Sequence, residues 1–291
     1  MRLVSYETDG AWRAGILVAE MVVDVERAAH HAGMPEGDWS SNRFVVAQPD
    51  SDRDALSAAA GELGADGTPV SELHLGPPVP DPDKILCMGL NYSDHAAESG
   101  LELPEVPLFF AKFRNSLIGP TDDIVLPPGD HTVDYEAELA VVIGRRCRGV
   151  DAGEALACIA GAMVLNDVSA RDLQLQVSQW TMGKAIDTFA PCGPALVLRD
   201  EIEDLQSLPI RTRVNGQTLQ DATTALMVFT AAEGVAFLSS VMTLEPGDIV
   251  ATGTPAGVGQ SRTPPVWLRD GDVVECEVDG LGTLRNRVRA A

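Results

Sequence analysis

The stretch DYEAELAVVIG, residues 134–144, decides how this chain folds. Successive side chains of a β-strand point to opposite faces, so Glu136 and Glu138 lie on the same face. The positions between and after them on the other face are all apolar, and the glutamate face itself turns apolar after Glu138. Both faces of the strand are therefore predicted to be covered by protein. Two carboxylates at the mouth of a buried strand need a compensating cation.

A third carboxylate follows another apolar strand, AGAMVLNDVSARDLQ, residues 160–174. Asp167 ends that strand and completes, with the two glutamates, a set of oxygen ligands of the kind that Mg²⁺ or Mn²⁺ prefers. Spacing alone leaves Asp134 and Asp172 open as ligands. It also leaves open a solvated edge strand with two exposed glutamates, because strands often have one face in water.

The stretch GLNYSDHAAESG, residues 89–100, carries a second candidate site. His95 and Glu98 are three positions apart, so one turn of helix places them on the same face. A carboxylate that orients a histidine ring and stabilises its charged form makes a general base. The polar run from 93 to 99 and the glycine that follows fit a mobile lid. A surface histidine on a helical loop is the alternative interpretation.

Candidate cationic and polar donors lie close to these carboxylates in sequence. Arg171 and Gln174 follow Asp167, and Lys184 lies in QWTMGKAIDTFAPCGP, residues 179–194. Each of them is an ordinary surface side chain by pattern alone. A pocket that binds a carboxylate or an enolate beside a metal would use such donors.

The glycine-rich stretch ATGTPAGVG, residues 251–259, superficially resembles a phosphate-binding loop. It lacks the lysine of a P-loop and the glycine spacing of a dinucleotide site. The sequence therefore indicates a tight turn that offers backbone groups and the Thr254 hydroxyl.

The composition excludes several classes of function. The chain has 291 residues and a formal net charge of −22, which repels phosphate backbones and makes nucleic-acid binding unexpected. No stretch has the uninterrupted apolar length of a membrane span, and the N-terminus has no apolar signal region, so we expect a soluble cytoplasmic protein. The five cysteines form no CxxC pair, which speaks against a zinc knuckle or a dithiol redox motif.

The chain divides into three parts by pattern. Residues 1–75 predict a small N-terminal α/β domain, with short antiparallel strands followed by two alanine-rich helices. Residues 76–83 form a proline-rich linker, because proline blocks regular structure. Residues 84–291 alternate short strands with few helices and predict a β-rich α+β catalytic domain.

Seven stretches occur in an order that resembles the fumarylacetoacetate hydrolase superfamily, in particular its bacterial members with a small N-terminal domain. They run from Lys84 to about Val288 and read GLNYSDHAAE, DYEAELAVVIG, NDVSARDLQ, QWTMGKAIDTFAPCGP, NGQTLQD, LEPGDIVATGTPAGVG and GDVVECEVDGLGTLRN. The resemblance implies a mixed β-sandwich roll and a homodimer.

The resemblance also assigns roles to individual residues. It implies metal ligands at Glu136, Glu138 and Asp167. It implies a water-activating pair on a lid, His95 and Glu98, a catalytic Lys184, and substrate-binding residues at Arg171, Gln174 and Thr254. The chain departs from common family patterns at Leu90, Ala185 and Ile186, which concerns the distal end of the substrate.

The favoured function is Mg²⁺- or Mn²⁺-dependent hydrolysis of a C–C bond in an acylpyruvate-like or diketo 2-oxo acid. The first alternative is decarboxylation or tautomerisation of a related 2-oxo acid, for example oxaloacetate. A metal-stabilised binding protein without turnover is the third. The expected partner is a small anionic 2-oxo acid, with neither nucleic acid nor membrane.

Overall fold

The structure of the chain is a computed structural model that describes residues 1–100 and 102–291. Its strands are β1 (Arg2–Thr8), β2 (Ala11–Val18), β3 (Met21–Asp24), β4 (Thr68–Pro69), β5 (Leu75–Gly76), β6 (Ile85–Gly89), β7 (Leu108–Lys112), β8 (Leu117–Ile118), β9 (Ile124–Leu126), β10 (Val133–Asp134), β11 (Ala137–Ile143), β12 (Ile159–Asn166), β13 (Ser169–Ala170), β14 (Ala190–Leu198), β15 (Pro209–Val214), β16 (Gln217–Thr223), β17 (Ile249–Ala251), β18 (Val273–Val278) and β19 (Gly282–Ala290). Its α-helices are α1 (Val25–His31), α2 (Asn42–Val46), α3 (Asp50–Leu63), α4 (Ser93–Ser99), α5 (Ala152–Leu156), α6 (Arg171–Gln174), α7 (Thr181–Lys184) and α8 (Ala231–Val241).

The predicted β-rich α+β fold is confirmed. Within the described part of the chain, the strands form a twelve-stranded mixed sheet, a five-stranded sheet and a two-stranded pair. The apolar stretch of residues 223–241 contains a short 3₁₀ turn, Thr224–Leu226, and forms α8 from Ala231. Thr230 accepts a hydrogen bond from the Glu233 N–H, and the Glu233 side chain bonds back to Thr230, so a capping box starts α8 there.

Strand β11 lies in the middle of the large sheet. It pairs antiparallel with β12 on one side and with β17 on the other. All seven of its residues are buried, as the sequence predicted. Its alternate side chains enter different cores: Leu139 and Val141 join one cluster, and Ala140 and Val142 join another. A strand covered on both faces can keep carboxylates only at its end.

The two cores hold the layers together. The first core lies between the large sheet, the five-stranded sheet and α8, with Ile210, Val274 and Val235 among its fully buried members. The second core lies on the opposite face, where Val25 and Leu56 from the N-terminal helices are buried. The sheet is therefore sandwiched, and the N-terminal helices cover one of its faces.

Residues 1–75 form the hairpins and helices that the sequence indicated. The hairpin turns fall at Asp9–Gly10 and at Ala19, and Asp9, Gly10 and Ala19 have positive φ angles. Strand β1 pairs with β14, so the N-terminal strands extend the large sheet. The domain boundaries at 75 and 84 stay a prediction. Among the described residues, none of the helices is long and apolar enough to span a membrane.

Gly161 of β12 lies opposite Leu198 of β14, with the β14 backbone close to its Cα atom. A Cβ atom built on it would come within 2.2 Å of the Val197 carbonyl oxygen. We expect Gly161→Ala to lower the free energy of unfolding by about 1–3 kcal/mol, because the backbone of a central strand has to move. Gly61→Ala is the matched control: it lies in α3 with open space around the added methyl group, and should stabilise by about 0.5–1 kcal/mol. Urea unfolding measures both, and equal effects would contradict the steric argument.

Candidate active site

The three predicted metal-ligating carboxylates meet at one edge of the large sheet. Glu136 directly precedes β11, Glu138 lies within it, and Asp167 directly follows β12. The antiparallel register pairs Ala137 with Asn166, which brings the neighbouring Glu136 and Asp167 side by side. One oxygen atom from each carboxylate lies within 4.8 Å of the others, and all three residues are buried.

Two predicted cations bind directly to this cluster. The Lys184 Nζ atom lies 2.6 Å from Glu136 Oε2 and 2.7 Å from Asp167 Oδ2. The Arg171 guanidinium lies 2.6 Å from Glu136 Oε1. Burial would raise the pKa of Glu136, but Arg171 and Lys184 outweigh it and hold that pKa below its ordinary value. Burial opposes the charge of Lys184, yet Asp167 and Glu136 raise its pKa, so the lysine stays an ammonium ion.

A third cation, Lys112, was missed in the sequence. Its side chain is fully buried at the end of β7, and its Nζ atom lies 2.6 Å from Asp167 Oδ1 and 3.1 Å from the Val168 carbonyl oxygen. A lysine within the apolar run VPLFFAKF was the available signal, since a buried lysine requires a paired anion. Lys112 and Lys184 thus neutralise Asp167 from two sides.

Asp134, which the spacing left open as a metal ligand, instead binds an arginine and a backbone loop. Its Oδ2 atom accepts a hydrogen bond from Arg171 Nε at 2.9 Å, and its Oδ1 atom accepts one from Gly259 N at 2.7 Å. Asp134 thereby fixes both the arginine and the loop that follows β17. The other open candidate, Asp172, bonds to His131 Nδ1 at 2.8 Å. Neither aspartate belongs to the cluster of three carboxylates.

Glu138 is the least neutralised carboxylate of the cluster. From the described residues it accepts the Gly253 N–H at 2.8 Å. Burial, followed by the charges of Asp167 and Glu136, raises its pKa well above the ordinary value. Three buried carboxylates with this excess of negative charge suit a hard divalent cation, which prefers oxygen ligands. Glu136, Glu138 and Asp167 therefore fit a metal ion of the Mg²⁺ or Mn²⁺ type.

His95 and Glu98 lie on α4, above the cluster. The His95 Nδ1 atom is 3.0 Å from Glu98 Oε1, as the three-residue spacing predicted. Glu98 also accepts the Gly257 N–H at 3.0 Å, so the same carboxylate ties α4 to the loop after β17. His95 is buried, and its Nε2 atom is the ring nitrogen that the Glu98 bond leaves available. The pair has the geometry of an oriented acid–base group.

The predicted site residues surround one cavity of about 420 Å³. Eight of the nine line it, namely His95, Glu98, Glu136, Glu138, Arg171, Gln174, Lys184 and Thr254, and Asp167 lies directly behind Lys184. The Thr254 hydroxyl donates to the Ala137 carbonyl oxygen at 2.8 Å, so its proton is engaged in the fold. The Gln174 Oε1 atom accepts a hydrogen bond from Arg171. The substrate-binding roles of these two residues remain predictions.

The described cysteines are all free and buried, and none of them lines this cavity. None of the described cysteines is therefore placed to act as a nucleophile in this cavity.

The buried carboxylate cluster and the β-rich sandwich around it point to an enzyme. Sequence comparison identifies the family to which that enzyme belongs. The family described as fumarylacetoacetate (FAA) hydrolase C-terminal matches residues 84–289, and the chain belongs to that family. The mitochondrial oxaloacetate tautomerase Fahd2a of Rattus norvegicus is 47% identical over 237 residues, which cover 80% of this chain and 76% of that protein.

Solved structures with the same fold carry names that describe two kinds of reaction, isomerisation and hydrolysis. A 5-carboxymethyl-2-hydroxymuconate delta-isomerase from Mycobacterium smegmatis is 32% identical with a TM-score of 0.77, over 100% of this chain and 99% of that one. A maleylpyruvate hydrolase from Sphingobium sp. SYK-6, in complex with manganese (II) ion and pyruvate, is 30% identical with a TM-score of 0.80 over 100% of both chains.

These comparisons support some of the sequence predictions better than others. The chain is a member of an enzyme family, and its relatives support the tautomerase alternative better than the favoured C–C hydrolase, which is matched only at the level of the superfamily. The relative from rat is named as mitochondrial, whereas the sequence analysis predicted a cytoplasmic protein. The compartment of this chain stays a prediction.

Replacing Glu138 tests the metal site. In the wild type, Mg²⁺ or Mn²⁺ should raise the melting temperature, because a ligand that binds only the folded state stabilises it. Glu138→Gln should abolish that shift, and should raise the melting temperature in EDTA because it removes a like charge from the cluster. Glu98→Gln is the control that keeps all three carboxylates and should keep the metal-induced shift. Thermal unfolding with and without each ion decides the matter, and an intact shift in Glu138→Gln would refute the assignment.

Replacing Asp134 tests its role as the anchor of Arg171. Asp134→Asn leaves Glu136 as the one carboxylate that still contacts the buried guanidinium among the described residues, which should lower the free energy of unfolding by about 1.5–3 kcal/mol because charge-assisted hydrogen bonds are lost. Asp172→Asn removes a partly exposed carboxylate from the residue next to Arg171 and should cost less than about 1 kcal/mol. Chemical unfolding of the two variants separates an anchored arginine from a general effect of charge on this segment.

Proposed function

We propose that this protein is a metal-assisted keto–enol tautomerase of 2-oxo acids, with oxaloacetate as the first substrate to test. The observation that carries the proposal is the oriented His95–Glu98 pair above a buried carboxylate cluster flanked by Lys184 and Arg171. The identity of 47% with an oxaloacetate tautomerase supports it. The partner is then a small anionic 2-oxo acid, bound by one copy of a homodimer.

Tautomerisation demands little beyond the controlled movement of one proton. In the direction from enol to ketone, the O–H bond of the enol breaks and a C–H bond forms at C3, with no change of oxidation state. A divalent ion held by Glu136, Glu138 and Asp167 would supply a Lewis acid for the oxygen atoms at C1 and C2.

His95 is the residue that can carry the proton. Glu98 holds the Nδ1 atom at 3.0 Å and so leaves Nε2 to exchange a proton with the substrate. The same carboxylate stabilises the charged ring while the proton resides on it. Because Glu98 is also bonded to Gly257, the ring keeps its position relative to the opposite wall of the cavity.

Lys184 and Arg171 stabilise the negative charge that develops on the substrate. Both are buried, and neighbouring carboxylates raise the pKa of each side chain, so both remain cations at neutral pH. A fixed positive charge in a site with little water acts more strongly on an enolate than the same charge in solution. Because four carboxylates face these two cations and Lys112, the divalent ion would also be needed to make the local charge positive and admit an anion into a protein of net charge −22.

Hydrolysis of a C–C bond is the second candidate. It requires a water molecule activated by a base in addition to the same electron sink, and the His95–Glu98 pair could supply that base. The solved maleylpyruvate hydrolase supports this possibility at 30% identity. Decarboxylation of oxaloacetate needs the electron sink and a later protonation, and product masses distinguish all three reactions.

The proposed reaction predicts the behaviour of two variants. His95→Ala should reduce kcat for the conversion of enol-oxaloacetate by at least about 100-fold while the metal-induced thermal shift persists. Lys184→Met should also reduce turnover, because it removes a cation from the enolate site. His74→Ala is the matched control: this exposed histidine bonds to Glu7 and Asp122, away from the cavity, and should leave the rate unchanged.

The measurement is the decay of enol absorbance above the spontaneous rate, with products identified by mass. A His95→Ala enzyme of full activity would refute the proton carrier. Two organic fragments from an acylpyruvate, with no acceleration on oxaloacetate, would establish the hydrolase instead.

A further inference from the structure

Part of the cavity lining is apolar, and the proposed chemistry does not use it. Six side chains form this apolar wall: Met88, Leu90, Phe110, Leu175, Trp180 and Val258. Oxaloacetate carries a carboxylate at each end and has no group that such a surface would bind. The cavity volume of about 420 Å³ falls in the range of roughly 300–1,000 Å³ that accommodates ligands of drug size.

The apolar wall begins at the reacting centre. Lys184 Nζ lies 4.9 Å from the centre of the Phe110 ring, over its face. The Phe110 ring in turn lies 5.4 Å from that of Trp180, at an interplanar angle of 63°. The two aromatic rings therefore lead outward from the ammonium ion that contacts Glu136 and Asp167. A substituent on C3 of a bound 2-oxo acid could lie along this line.

The position of Trp180 is set by close packing. A Cβ atom on Gly89 would come within 2.8 Å of Trp180 Cζ3 and 2.7 Å of Leu108 Cδ2. The indole ring thus packs against backbone at a point where only glycine leaves room. An aromatic surface held this firmly loses little freedom when a ligand covers it.

The charged residues that line the cavity are already engaged with one another. Among the lining residues that the structure describes, Arg171 and Lys184 are both engaged with carboxylates of the cluster. Glu98 adds a negative charge at the mouth, where it holds His95. The lining also contains Gln260 and Ser261, so a polar substituent has hydrogen-bonding partners there, whereas an apolar substituent would be desolvated favourably against the apolar wall.

We propose that the substrates of this site include 2-oxo acids with an aromatic or branched apolar substituent on C3, bound with that substituent against Phe110 and Trp180. Phenylpyruvate is the probe. The reaction rests on the proposed function: the enol O–H bond breaks, a C3–H bond forms, and no further reactant is consumed. The binding preference itself does not depend on turnover.

Calorimetry of pyruvate and phenylpyruvate in the presence of Mg²⁺ tests the proposal, because the two ligands differ only in the phenyl group. The wild type should bind phenylpyruvate at least about 10-fold more tightly than pyruvate. Trp180→Ala should remove most of this preference. Trp12→Ala is the matched control, since this tryptophan lies on β2 against Gly76 and His74, outside the cavity, and should leave the preference intact.

A second variant covers the case in which Trp180→Ala does not fold. Leu90→Arg would add a cation to the apolar wall and should reduce the preference for phenylpyruvate by a similar factor. Equal affinities of the wild type for the two ligands would overturn the proposal, as would an unchanged preference in Leu90→Arg or Trp180→Ala. The loss of the preference in Trp12→Ala would overturn it as well.

Turnover of oxaloacetate and phenylpyruvate, measured in parallel, separates this proposal from the proposed function. If the wild type binds phenylpyruvate more tightly but accelerates neither tautomerisation, the apolar wall is still a binding site and the tautomerase assignment is wrong. If the wild type accelerates the tautomerisation of oxaloacetate alone and binds pyruvate and phenylpyruvate equally, the tautomerase assignment holds and the extended substrate class is wrong.

Discussion

The burial of several carboxylates at one edge of the central sheet is the constraint on which the rest of the structure depends. A buried charge costs several kcal/mol unless it is paired. Four carboxylates share this region, and three buried cations from separate elements balance them among the described residues: Glu136, Glu138, Asp167 and Asp134 against Lys112, Arg171 and Lys184. The ends of β7, β11 and β12 and the helices α6 and α7 must converge for the charges to meet.

This balance also explains why the site suits a metal and an anion. Four carboxylates face three cations, and burial together with the neighbouring carboxylates raises the pKa of Glu138, so a further negative charge is disfavoured there unless another cation binds. A divalent cation would turn the local charge positive and allow an anionic 2-oxo acid to enter a protein that is otherwise strongly acidic. The site would therefore bind an anionic ligand together with a divalent cation.

The likeness to both isomerases and hydrolases follows from the same geometry. An electron sink for an enolate serves either reaction, and the choice between them rests on whether water reaches the substrate beside His95. The same cavity is lined by the apolar wall, which includes Phe110 and Trp180. Specificity can therefore change at the wall while the carboxylate cluster stays the same.

The sequence by itself determined much of this protein. Alternation along β11 predicted a strand buried on both faces with two glutamates at its mouth, and the three-residue spacing predicted the contact between His95 and Glu98. Those patterns depend on local geometry, which a strand or one helical turn imposes. Only the tertiary structure decided that Lys112 neutralises Asp167 and that Asp134 holds Arg171, because these partners are 55 and 37 positions apart. Charge pairs between distant residues produce no periodic pattern in a single sequence. The partner of each carboxylate is therefore known only from the packed tertiary structure.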